Sequence, residues 1–269
     1  MSTESLKIDE VKSLSFKQII EESSQKKESN IILALDLPPT ELDVLLHKTL
    51  MILDAVEGQI CAVKFNRHLI LPLGLFAGVQ KLLKRAKEYD LPTIMDCKIN
   101  DVGSTNKIIA EHYYNSGFDA LTANPFVGWK EGMQPVFETA KQYDRGVILL
   151  VFMSHEGSSE GYGQEVFVEK TQLPTSQYEI FAQKALEWGA DGVVVGATYP
   201  ERIRRVHSIL GKSVPIYSPG VGVQGGKIED AVRGGARYLI VGRAITMTED
   251  PLQAAKSLKV TAQKAISVL

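Results

Sequence analysis

The chain of 269 residues is short of cysteine, and its two thiols, Cys61 and Cys97, stand in no C-x-x-C spacing and near no histidine at metal-ligand distance. That excludes a disulfide framework and the usual sequence forms of a zinc site, and leaves two buried free thiols in a reducing compartment as the expectation. No apolar run approaches the roughly 18 residues of a membrane span, so no membrane partner is expected. The N-terminal stretch is polar and carries acids, unlike a secretory signal, and a cytoplasmic location follows as an expectation. With a net charge of −2 there is no basic surplus to argue for nucleic acid. Nor does a G-x-G-x-x-G follow the early apolar runs, which counts against a dinucleotide-binding sheet.

What is present is an alternation. At 44% hydrophobic and 23% charged residues, the composition is that of a globular protein. The length suits one α/β barrel of about 250 residues. Apolar, β-branched runs at Ile31–Leu37, Ile60–Asn66, Thr93–Lys98, Ala120–Asn124, Val147–Met153, Gly192–Gly196, Pro215–Ser218 and Tyr238–Gly242 predict strands buried on both faces. Between and after them lie helical patterns at Leu42–Val56, Leu75–Tyr89, Ser104–Asn115, Met133–Tyr143, Ser176–Trp188, Pro200–Leu210, Lys227–Arg233 and Pro251–Val268. Eight such units predict an α/β fold, a (β/α)₈ TIM barrel, with an open doubly wound sheet as the competing arrangement. The expected organisation is a tail and short helix over residues 1–30, then the barrel as one catalytic domain over 31–269. Phe16, Ile19 and Ile20 set the stripe of that helix, Ser15–Lys26, expected to pack as a plug or flap before the first strand, behind a flexible tail. Ser154–Thr175 breaks the rhythm: it is long for a βα connection, holds several glycines and serines, and is expected to act as a lid.

Barrels carry their chemistry at the C-terminal ends of the strands. Those ends hold Asp36; Lys64 and Asn66; Asp96, Lys98 and then Asp101; Ser154 and His155; the run Ser218-Pro219-Gly220-Val221-Gly222-Val223-Gln224-Gly225-Gly226; and Gly242-Arg243. One ion pair could merely close the barrel mouth. A whole set of acids, lysines and an arginine on one rim is more than a core requires. The last two elements suit an anion: glycines let backbone N–H groups approach closely, and Arg243 adds a permanent charge in a fork geometry. Phosphate sites of these barrels commonly follow strands seven and eight.

Asp96 and Lys98 stand two apart on one strand, so alternation puts them on one face. A lysine beside carboxylates is held as an ammonium, which makes it a poor Schiff-base nucleophile and a good proton donor. An aspartate aimed at an anionic substrate group repels it by about 4 kcal/mol at 4 Å and an effective dielectric near 20. Together these point to chemistry in which negative charge leaves one position and a proton arrives there.

On these residues the chain resembles orotidine 5′-monophosphate decarboxylases of the compact microbial and archaeal kind. The pieces that carry the resemblance are Ala34-Leu35-Asp36, Val63-Lys64-Phe65, the D-x-K-x-x-D run Asp96–Asp101 with Thr105 beyond it, Met153-Ser154-His155, the loop Ser218–Gly226 and Ile240-Val241-Gly242-Arg243, in order over nearly the whole chain. The resemblance implies orotidine 5′-phosphate as substrate, UMP and CO₂ as products, and neither cofactor nor metal. It implies that Lys98 protonates C6, that Asp96 opposes the substrate carboxylate, that Lys64 and Asp36 hold the ribose, and that Ser154 meets the pyrimidine amide edge. Pro219 would line the pocket for CO₂, while Gln224, Gly242 and Arg243 would serve the phosphate. Asp101 and Thr105 would enter the neighbouring site of a homodimer with shared active sites. His155 is expected to be structural; it is followed by Glu156-Gly157, where many members carry proline. The alternatives are a metal-dependent sugar-phosphate decarboxylase or synthase sharing the D-x-K-x-x-D run, in which an acid at the Lys64 position holds magnesium, and a non-catalytic nucleotide-binding barrel.

Overall fold

The structure, a computed structural model, describes residues 14–169 and 172–268. The tail expected to be flexible falls on residues 1–13, outside those described. Among the described residues ten strands form: β1 (Ile31–Ala34), β2 (Ala62–Asn66), β3 (Thr93–Ile99), β4 (Ala120–Ala123), β5 (Gly146–Phe152), β6 (Glu165–Val168), β7 (Leu173–Ser176), β8 (Gly192–Val195), β9 (Ile216–Pro219) and β10 (Ala236–Val241). Eight of them close a parallel barrel in the order β1-β10-β9-β8-β5-β4-β3-β2. This is the (β/α)₈ TIM barrel. Closure is made by β1, whose Ile31, Ile32 and Leu33 pair with Leu239, Ile240 and Val241, while Ile32, Leu33 and Ala34 pair with Ala62, Val63 and Lys64 on the other side. The near-continuous apolar runs have their cause here: β1, β4, β5 and β8 are buried at every residue, since one face meets the barrel interior and the other meets helices.

The helices form the outer ring. Val79–Glu88 buries Val79, Leu82, Leu83 and Ala86, one face at helical spacing. The helix expected over residues 75–89 is regular only from Val79 to Glu88: Gly74–Gly78 forms a π-helical turn in which Phe76 has non-helical φ −100° and ψ 17°, and a separate helix, Arg67–Leu73, precedes it. The N-terminal helix, Phe16–Lys26, starts in a capping box between Ser15 and Gln18. It packs against the barrel. Phe16 and Ile20 are fully buried, and Phe16 packs so tightly on Gly146, the first residue of β5, that a Cβ there would collide with its ring. Ser23 Oγ donates to the Cys61 carbonyl just before β2.

The insertion after β5 has structure of its own. A helical turn, Ser158–Gly161, leads to an antiparallel hairpin of β6 and β7. Its base is fixed: Met153 N–H donates to Ser158 Oγ, Tyr162 is buried among Phe126, Phe152 and Phe181, and Asn124 Nδ2 donates to Tyr162 Oη. The glycines and serines point to a loop, but Glu165-Val166-Phe167-Val168 has the β-branched and aromatic content of a strand, and Pro174 is tolerated because β7 is an edge.

Candidate active site

A cavity of about 240 Å³ opens at the C-terminal ends of the barrel strands. Its floor is apolar, with Ile94, Ile148, Leu150, Val194 and Ile240 contributed by four strands, β3, β5, β8 and β10. Above that floor stands a row of charges. Lys64 Nζ, from β2, lies 2.7 Å from Asp96 Oδ2, and Lys98 Nζ lies 2.7 Å from Asp96 Oδ1, both partners of Asp96 coming from or beside its own strand. Asp36, just beyond β1, lines the same cavity, and its Oδ1 is buried without a hydrogen-bond partner. Burial disfavours the Asp96 carboxylate, but the two ammonium groups and their hydrogen bonds outweigh it and hold the carboxyl well below the usual carboxylate range. Burial likewise works against the Lys64 ammonium. The charges of Asp96 and Asp36 and the bond to Asp96 reverse that, so Lys64 titrates above an ordinary lysine. Asp96 is thus an ionised acceptor gripped by two cations.

Asp96 and Lys98 do share the cavity face, but not by plain alternation. The ladder between β3 and β4 pairs Met95 with Leu121 and Ile99 with Ala123, so Asp96, Cys97 and Lys98 together face the single residue Thr122. Lys98 takes the left-handed region at φ +50°. The strand bulges at the charged run, as strands do where a side chain must be re-aimed.

The other end of the cavity is built from loops. Gly220, Gly222 and Gly225 have φ of +95°, +79° and +91°, and the turn closes through Gly222 N–H to the Gly226 carbonyl at 2.9 Å and Gly225 N–H to the Gly222 carbonyl at 2.7 Å. A Cβ on Gly220 would stand 2.8 Å from Gln224 Oε1 and 2.9 Å from Ser154 Cβ, so only glycine fits. Opposite, the short helix Arg243–Thr246 begins at Gly242, and its first N–H groups have no intrahelical partners. Gly242 is needed for a second reason: a Cβ there would press on Asp36 Oδ2 at 3.1 Å.

Of the eleven residues to which the resemblance gives a role in catalysis or binding, nine line this one cavity: Asp36, Lys64, Asp96, Lys98, Ser154, Pro219, Gln224, Gly242 and Arg243; Asn66, also at a strand end, joins them. Two do not. Asp101 is exposed, its carboxylate accepting from Val102 N–H, and Thr105 is half-buried on the helix Gly103–Ser116. His155 is also exposed and takes no part in the lining; its carbonyl accepts from Tyr199 Oη. No described residue of the hairpin lines the cavity. Both thiols are buried and protonated, Cys97 being pushed up to about 12 by burial and by the neighbouring Asp96. Thr122 was not among the expected residues. The signal was a lone polar side chain at an inward position of Ala120-Leu121-Thr122-Ala123, and a threonine in a strand attracts no notice. Among the described residues no group of three or more His, Cys, Asp or Glu side chains could hold a metal ion.

A closed barrel with alternating carboxylates and ammoniums at the ends of its first three strands, and a glycine loop with an arginine after its last two, is a TIM barrel shaped to take a phosphorylated small molecule. The chain belongs to the orotidine 5′-phosphate decarboxylase / HUMPS family, whose sequence model matches residues 29–258. It is 35% identical to an orotidine 5′-phosphate decarboxylase of Methanosarcina barkeri, over 87% of this chain and 94% of that protein, and 35% identical to one of Thermococcus kodakarensis, over 86% and 96%. Among solved structures, the orotidine 5′-monophosphate decarboxylase of Methanocaldococcus jannaschii, complexed with the inhibitor BMP, superposes with a TM-score of 0.72 at 29% identity, covering 87% of this chain and 98% of that one.

Proposed function

We infer that the protein is an orotidine 5′-phosphate decarboxylase, converting orotidine 5′-phosphate to UMP and CO₂ in pyrimidine biosynthesis. The observation that carries the reading is the Asp96 carboxylate held between Lys64 and Lys98 at 2.7 Å each, in a cavity that also holds the phosphate loop. The phosphate sits on the loop Gly220–Gly226 with Gln224 and Arg243. The ribose hydroxyls donate to Asp36 Oδ1, which satisfies a buried acceptor that is costly to leave bare, and lie beside Lys64. Ser154 meets the amide edge of the base. The substrate carboxylate then stands against Asp96. The bond from C6 to the carboxylate breaks, its electron pair stays on C6, and the Lys98 ammonium both stabilises that charge and delivers the proton to it. CO₂, being uncharged, leaves along the apolar wall of Pro219 and Ile94. Repulsion between Asp96 and the carboxylate adds ground-state destabilisation, the smaller share of the effect.

The protein works as a homodimer in this reading. Asp101 and Thr105 stay out of the lining of their own cavity, and Val102 beside Asp101 and Ile108 on the helix of Thr105 leave apolar side chains exposed on this face. A second copy covers that face, and its active site receives Asp101 and Thr105. Two free thiols and a soluble substrate support a cytoplasmic reading, and no described helix is long and apolar enough to cross a membrane. No metal takes part: the family's metal-dependent sugar-phosphate members need an acid where this chain has Lys64, and two ammonium groups flanking Asp96 repel a cation. The test is the loss of substrate absorbance on adding orotidine 5′-phosphate in EDTA. Steady conversion to UMP is expected; activity abolished by EDTA and restored by magnesium would overturn the metal-free reading.

A further inference from the structure

Thr122 is the one residue of β4 that faces the three-residue bulge of Asp96, Cys97 and Lys98, and it bonds to each of them. Its hydroxyl accepts the Lys98 N–H at 2.9 Å and lies 3.0 Å from Asp96 Oδ1. Its carbonyl accepts Cys97 Sγ at 3.3 Å. The hydroxyl's direction follows from its neighbours. It takes the amide proton of Lys98 on a lone pair, and a carboxylate can only accept, so the O–H proton goes to Asp96. A ring closes: Lys98 N–H to Thr122 Oγ1, Thr122 O–H to Asp96 Oδ1, and Lys98 Nζ to that same Oδ1.

The ring answers two needs of this site. Lys98 holds a left-handed backbone, which an L residue keeps only when its surroundings enforce it, and here the backbone N–H is tied to a side chain where the strand ladder lapses. Asp96 Oδ1 otherwise depends on Lys98 Nζ, the group that loses its charge when its proton is delivered. A neutral donor that does not change during the reaction keeps that oxygen placed while the ammonium becomes an amine.

We propose that Thr122 is a positioning residue for the decarboxylation, its hydroxyl fixing the Asp96 carboxylate and the Lys98 backbone in the arrangement from which the proton is delivered. The proposal rests on the decarboxylase reading above. It is tested with Thr122→Val, which keeps the shape and removes the hydroxyl, Thr122→Ser, which keeps the hydroxyl, and Thr122→Ala in case valine prevents folding. Steady-state turnover of orotidine 5′-phosphate, UMP affinity and melting temperature are measured for each. Loss of a buried hydrogen bond to a charged group predicts kcat lower by about ten- to hundredfold in the valine and alanine variants. KM and the UMP Kd stay within about threefold, because neither phosphate nor ribose meets the ring. Serine restores most of kcat. Three results overturn the proposal: wild-type kcat in the valine or alanine variant, no rescue by serine, or activity that falls only in step with melting temperature and UMP binding. A wild-type chain that leaves orotidine 5′-phosphate unchanged overturns the decarboxylase reading and this inference with it, whereas an active wild type with an unaffected valine variant overturns this inference alone.

Discussion

The two ends of the cavity are built on opposite principles. At the charged end every group springs from a strand or its immediate continuation, Lys64 and Asp96 are buried, and each ammonium has its carboxylate at 2.7 Å before any substrate arrives. At the phosphate end the backbone depends on three glycines with positive φ, and Gln224, Val223 and Arg243 are exposed. The first end carries its electrostatic order in the folded chain, so it can act on a transition state without rearranging. The second, in the proposed reading, stays exposed until a phosphate covers it. Energy released when a phosphate settles there, far from the bond that breaks, is available to close loops over the base. The difference teaches where to look for each kinetic constant: kcat should answer to the buried end and KM to the exposed one.

Lys98→Ala tests the buried end most severely. It removes the proposed proton donor and the proposed cation facing C6 at once, so kcat is expected to fall by at least about 10³-fold. UMP binding, measured by calorimetry, should persist, since the phosphate loop and Asp36 are untouched. Near-normal turnover in this variant would remove Lys98 from the chemistry. Arg243→Ala tests the other end. Loss of a charge-assisted fork to phosphate, roughly 2–3 kcal/mol, predicts KM higher by about 30- to 150-fold with a smaller change in kcat. An unchanged KM would take Arg243 out of the phosphate site and break the contrast between the two ends.

How far the sequence could be read follows the same division. The barrel was legible because strands buried on both faces leave continuous apolar runs, and eight of them alternate with amphipathic helices. The strand-end residues were legible because charges such as Lys64 and Asp96 are out of place in such runs. The bulge was not. No residue type between Met95 and Ile99 announces that three positions of β3 will face one of β4, and Lys98 gives no sign of a left-handed backbone, which glycine or asparagine would have given. Thr122 was hidden for the same reason, its meaning arising only from the register of a neighbouring strand. The hairpin of β6 and β7 was obscured by composition: glycines and serines at its base outweigh eight residues of strand.

Asp101 and Thr105 leave the comparison incomplete, because they belong to the charged motif in sequence and to neither end of the cavity in space. If they complete the charged end of a partner, two damaged chains can repair each other. Subunits carrying Asp101→Asn are defective in what they lend, and subunits carrying Lys98→Ala in what they hold. In a mixed dimer one site contains Lys98 from the first chain and Asp101 from the second, and is whole, while the other site lacks both. With equal amounts and random exchange, half the dimers are mixed and half of their sites are intact, so activity should return to about a quarter of wild type. Each variant alone should stay far below that. Recovery measured against proven subunit exchange, by mass spectrometry of differently tagged chains, therefore decides the matter. Full exchange without recovery would confine the charged end to a single chain and leave Asp101 a rim residue held by Val102 N–H.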